Sequence, residues 1–151
     1  MAKSLDLNLT PTDAAYIAGI MDGEGCFMLA KSANSISPAG VGYKPLIELV
    51  MCDAATIFYI ADLTGKPVQE RVIKSGRTAY KIIWHNRMAG TLLTEIIPYL
   101  RGKRDQAEIL LHYINNVSPG KGRGIEAWQL AEAERVRTEL KELKKPFALR
   151  C

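Results

Sequence analysis

The chain has 151 residues, 48% of them hydrophobic and 24% charged, with a net charge of +4. That length and balance suit one domain with an ordinary core and exclude a disordered tail, a collagen-like repeat and a membrane bundle.

Thr10-Pro11-Thr12-Asp13 supplies a helix N-cap, a proline at the first helical position and an acid three residues after the cap, which predicts a helix over 11–22. Its interior, AAYIAGIM, is apolar around most of its circumference, so it is buried on several sides, and its small residues admit another backbone. Gly23-Glu24-Gly25 ends it. Strands are expected at 26–31 and 43–52, with the SANSISPAGVG loop between them. Asp53 caps a short helix that Gly65 closes. Two further strands, 67–74 and 78–84, flank the Ser75-Gly76-Arg77 hairpin. Asn86 is expected to cap a helix through Ile97, which Pro98 and Gly102 interrupt before another helix over 103–115. SPGKGRG, residues 118–124, reads as a linker to an amphipathic terminal helix over 125–145, with Val136, Leu140 and Leu143 on one face. The whole is expected to be one domain, with its core over about 10–117.

This order gives an α+β fold, a four-stranded antiparallel sheet with helices on one face. The period of two places Lys44 and Glu48 on one face of the second strand, Gln69 and Arg71 on one face of the third, and Arg77 and Lys81 on one face of the fourth. Charge is uneven: residues 1–65 carry a net −4, residues 66–104 a net +7 and residues 105–151 a net +1. A basic middle third and an uncovered polar sheet face point to a polyanion, with the sheet in a DNA major groove. Cys26, Cys52 and Cys151 form no CxxC pair, and His85 and His112 are too few and too far apart for a zinc cage. Reduced thiols in an intracellular compartment, a prokaryotic cytoplasm or a gene-bearing organelle, are expected. No apolar run reaches the roughly 18 residues of a membrane span, and MAKSLDLNLTPTD lacks the apolar stretch of a signal peptide.

Ile17-Ala18-Gly19-Ile20-Met21-Asp22-Gly23-Glu24-Gly25 resembles the LAGLIDADG signature of homing endonucleases, with Glu24 in place of the penultimate aspartate. Pro98 to Ala107 looks like the segment in which that family brings a lysine to the active site, here Lys103. The resemblance covers about 12–115 and implies an αββαββα core with a DNA-binding saddle sheet. By that resemblance Glu24 and the Gly23 carbonyl hold a divalent cation, Mg2+ or Mn2+, with Ca2+ binding without supporting cleavage. Glu24 and Lys103 are the catalytic residues, Lys103 stabilising phosphate or polarising water. The family's glutamine near the end of the second strand has no counterpart in Val50-Met51-Cys52-Asp53, so no residue is assigned to the nucleophilic water.

One signature in a short chain implies a homodimer, with Ala15, Ile17, Ala18, Gly19, Ile20, Met21 and Asp22 at its interface and a pseudo-palindromic double-stranded DNA target. DNA contacts are expected from Met28, Ala30, Ser32, Asn34, Lys44, Glu48, Gln69, Arg71, Arg77 and Lys81 on the sheet. Arg101, Arg104, Lys121 and Arg123 are expected at the backbone. The implied activity is hydrolysis of both strands of a long site by an intron-encoded enzyme. The alternative is a non-cleaving relative, either a DNA-binding regulator or a maturase that binds intron RNA.

Overall fold

Thr10 begins the first helix as its composition requires: its hydroxyl accepts from the Asp13 amide at 3.1 Å, and Pro11 takes the position where a missing N–H costs nothing. In the computed structural model, which describes residues 7–120 and 122–145, this helix, α1, runs Pro11–Glu24. It is two residues longer than the sequence predicts, because Gly23 and Glu24 keep helical geometry and the Gly25 amide closes the turn on the Met21 carbonyl. Strand β1 (Gly25–Ala33) and strand β2 (Val41–Met51) form a hairpin, followed by α2 (Ala54–Thr64). Strands β3 (Gln69–Val72) and β4 (Thr78–His85) lead into α3 (Asn86–Ile96), a 3-10 turn (Ile97–Tyr99), α4 (Arg104–Asn116) and α5 (Ala127–Leu143).

The sheet is antiparallel throughout, in the order β1-β2-β4-β3. Its core face carries Phe27, Leu29, Ile47, Leu49, Ile82 and Trp84, all buried. On that face pack α1, α3 and α4, which contribute Ile17, Ala18, Met21, Leu92, Leu93 and Leu110. The expected α+β layer and αββαββα order are therefore present.

Local boundaries depart from the sequence reading for identifiable reasons. Strand β3 is shorter than expected because Ile73 is drawn into the turn: its amide donates to the Arg77 carbonyl at 2.9 Å, and the Gly76 amide, at φ +83°, donates back to the Ile73 carbonyl. Asn86 does not cap α3. His85 holds the cap position without a side-chain bond, and Asn86 turns the chain at φ 50°, a left-handed geometry that asparagine tolerates better than most residues. Asp53 caps α2 as expected, its carboxylate accepting from the Thr56 amide and hydroxyl. Gly65 ends that helix at φ 64°.

Helix α5 lies along the edge of β1. Arg137 Nε donates to the Leu29 carbonyl at 3.1 Å, which directs that carbonyl away from β2. Leu29 is paired with Pro45, so the one interior strand position without an N–H falls where β1 asks for none. Glu134 on α5 accepts from Lys31 Nζ at 2.6 Å and from the Tyr43 hydroxyl. The helix thus covers a sheet edge that would otherwise offer unpaired backbone groups. A reciprocal capping box between Glu126 and Gln129 starts it, and Val136 and Leu140 are buried beneath it.

Candidate active site and nucleic-acid interface

The C-terminal end of α1 is fixed by two long-range contacts. The Asp22 carboxylate accepts from the backbone amides of Arg101 and Lys103, both at 2.9 Å, and so pins the loop before α4. Lys103 Nζ returns the contact, donating to the Met21 carbonyl at 3.1 Å and the Gly25 carbonyl at 2.5 Å. An ammonium on the last carbonyls of a helix meets the negative end of its dipole. Gly25 is required sterically: a Cβ there would stand 2.6 Å from Met21 Sδ and 2.9 Å from the Met21 carbonyl oxygen.

Glu24 is the last residue of this clamped helix, and it is exposed. Beside it opens a cleft of about 420 Å³ lined by Asp22, Gly25, Cys26, Gly102, Lys103, Gln106, Leu143 and Lys144. The structure therefore brings Lys103 to the end of the helix that carries Glu24. It also brings two residues the sequence reading missed. Gln106 is buried, and Lys144 reaches from the end of α5 to within 3.6 Å of Cys26 Sγ. Gln106 was legible three positions after Lys103; Lys144 had no local signal, because only the docking of α5 places it there.

Among the described residues no group of three His, Cys, Asp or Glu side chains converges as a metal cage. A hard cation such as magnesium needs none, since it is commonly held by one or two carboxylates together with phosphate oxygens and water. The exposed Glu24 carboxylate and the adjacent Gly23 carbonyl suit that mode. Asp22 does not, because both its oxygens are occupied by backbone amides.

The exposed face of α1 carries Ala15, Tyr16, Gly19 and Gly23. A Cβ at Gly19 or Gly23 would meet nothing within 4 Å. A helical glycine costs roughly 1 kcal/mol against alanine, and no contact among the described residues explains these two. Three of the expected interface residues must be corrected. Ile17, Ala18 and Met21 are fully buried in the chain's own core, because the helical period turns them onto the sheet. Ala15 and Gly19 are exposed, Ile20 and Asp22 half-buried. Arg101 and Arg104 line a second cleft with Ala15 and Gly19, on the outer side of α1 and away from the sheet.

The strand register gathers most of the remaining predicted contacts on the sheet face opposite the core. Ala30 pairs with Lys44, Met28 with Leu46, Cys26 with Glu48, Gln69 with Lys81 and Arg71 with Ala79. Ser32 continues the same face, and Glu48 stands 3.9 Å from Lys81. Asn34 and Arg77 lie beyond the strands, in the two hairpin turns. The Asn34 carbonyl oxygen Oδ1 is used by the Ile36 amide at 3.0 Å. Arg123 lies in the segment before α5, facing the first hairpin turn across a cleft, and Lys121 and Cys151 fall outside the described residues. His85, Leu46 and Ile83 share the open face although the sequence reading passed over them; strict alternation from Lys81 and Lys44 would have found all three. Burial, with the nearby charges of Lys44 and Lys66, holds the His85 ring below the ordinary histidine range.

No helix among the described residues is long and apolar enough to cross a membrane. No protein-family model and no curated protein matches the sequence. Solved structures do. The homing endonuclease I-CvuI, in complex with its target in the presence of calcium, superposes with a TM-score of 0.74 at 19% identity, over 90% of this chain and 84% of the other. The archaeal intron-encoded homing endonuclease I-Vdi141I, complexed with DNA, gives 0.74 at 16% identity over 89% of this chain and 85% of the other. The LAGLIDADG homing endonuclease I-LtrWI, bound to target DNA, gives 0.59 at 16% identity; 87% of this chain there covers only 44% of a longer one. Sequence identity this low establishes architecture, and the architecture is that of the LAGLIDADG homing endonucleases.

Proposed function

We propose that this chain is a metal-dependent, site-specific endonuclease that cuts both strands of a pseudo-palindromic duplex DNA as a homodimer. The observation that carries the reading is the clamped end of α1. An exposed carboxylate, Glu24, terminates a helix that the Asp22 and Lys103 contacts hold rigid, beside the open sheet face. The shared fold supports it, since I-CvuI and I-Vdi141I carry DNA on this architecture. The two unaccompanied glycines on the outer face of α1 support a second copy, whose own helix would approach there. The coverage of about half of I-LtrWI agrees with that arrangement.

In this reading Glu24 and the Gly23 carbonyl would hold a magnesium ion, which when bound would supply an activated water and stabilise the leaving oxygen. Lys103 keeps an ammonium at the phosphate-facing end of the helix while its own position is set by two carbonyls. The open face reads the groove through Lys44, Glu48, Gln69, Arg71 and Lys81.

The test is cleavage of a randomised duplex library with magnesium and with EDTA, on the wild type and Glu24→Gln in parallel. Magnesium-dependent double-strand cuts at a pseudo-palindrome, lost by at least a thousandfold in the variant while DNA binding persists, are expected. Undiminished cutting by Glu24→Gln would remove Glu24 from the site. Sequence-selective binding by the wild type without cutting would instead indicate a non-cleaving relative, with intron RNA the next ligand to try.

A further inference from the structure

The open face carries half-buried apolar side chains at Met28, Leu46, Val50 and Ile83, of which the sequence places only Met28 at the DNA. Met28 on β1 lies directly opposite Leu46 on β2. Leu46 lies opposite His85 on β4, and Ile83 is the next residue of β4 on that face. Directly opposed side chains lie about 5 Å apart and diagonal ones about 7–8 Å, so Met28, Leu46 and Ile83 form one apolar track across three strands. All three are partly exposed. On that face Lys44 is next to Leu46 along β2 and Lys81 next to Ile83 along β4, with Glu48 the acid that faces Lys81, while Arg71, opposite Ala79, stands farther out on β3.

A basic margin around an apolar centre narrows the choice of ligand. The margin suits a phosphate backbone. The three side chains of the track offer no hydrogen bond, the His85 ring opposite Leu46 being the polar group in line with them, so a base edge lying over the track loses its water there and gains nothing. In the major groove the thymine C5 methyl is the apolar group. Three strands about 4.8 Å apart span about 10 Å, the length of about three base-pair steps.

We propose that Met28, Leu46 and Ile83 read thymine methyl groups, so that each half of the target carries two or three adjacent T·A pairs under the centre of the sheet. The proposal rests on the DNA-binding reading above and adds the base class that this face selects.

The experiment uses the full chain and binding in EDTA. Duplexes are selected from a randomised library, and the selected site is resynthesised with deoxyuridine in place of thymine, one position at a time. That exchange removes the methyl and keeps the base pair. Wild-type affinity is expected to fall about fourfold at each of two or three adjacent positions, the effect of one buried methyl. Leu46→Gln and Ile83→Gln are expected to lose that sensitivity and to shift their selected sites toward adenine. Equal binding of thymine and uracil sites by the wild type at every position would overturn this proposal and leave the nuclease reading standing. Failure of the wild type to select any sequence would overturn both.

Discussion

The end of α1 and the open face of the sheet are neighbours, yet they are built by opposite rules. At the end of α1 the polar atoms are spent on backbone: Asp22 on two amides, Lys103 on two carbonyls, and Gly25 in a space that admits no side chain. On the sheet face the side chains project from a regular ladder, and among the described residues its charged groups are joined only by the loose Glu48–Lys81 pair at 3.9 Å. Phosphate chemistry needs groups fixed to within a fraction of an ångström, so those groups are tied to the main chain. Recognition needs a rigid scaffold whose side chains can be exchanged without disturbing the fold. Substitutions at the first place should alter stability and rate together; those at the second should alter binding alone.

The sharpest way to break this contrast is Asp22→Ala. It removes a carboxylate from two backbone amides, which should cost about 2–4 kcal/mol in urea denaturation and slow cleavage at least a hundredfold by releasing the loop that carries Lys103. Full activity with reduced stability would separate the two roles that the geometry joins. Lys103→Ala comes next. Cutting is expected to slow about a hundredfold while affinity for the same duplex changes only a few-fold, measured by single-turnover cleavage and by anisotropy.

On the sheet, Arg71→Ala should leave the melting temperature unchanged and weaken binding to every duplex alike if Arg71 holds phosphate, with the salt dependence reduced by about one counterion. Relaxed preference at a single position would assign it to a base instead. The smallest effect is expected at the prop under the sheet edge. The Lys31 and Tyr43 contacts hold the Glu134 carboxyl below the ordinary carboxylate range. Its stabilising effect is therefore present above that range and disappears as pH falls through the lowered value. Glu134→Gln should melt below the wild type at neutral pH, with the difference closing as the pH falls below the ordinary carboxylate range. A difference independent of pH would mean that α5 is held by packing alone.

The sequence by itself determined the elements that local chemistry dictates. Thr10 and Asp53 announced their helices through caps that act within three residues, and Gly65 marked a stop by accepting a left-handed backbone. Alternation determined which strand residues share a face, because that depends only on the pleat. The nine residues from Ile17 to Gly25 pointed to the site, with Glu24 and Lys103 as its expected participants. Tertiary structure decided the rest. Whether Ile17, Ala18 and Met21 faced a partner or the core was undecidable in a helix apolar on nearly every side, and the sheet claimed them. Asp22 turned out to hold a loop about eighty residues away, and Lys144 to enter the cleft beside Cys26, because long-range packing brings together residues that no local spacing relates.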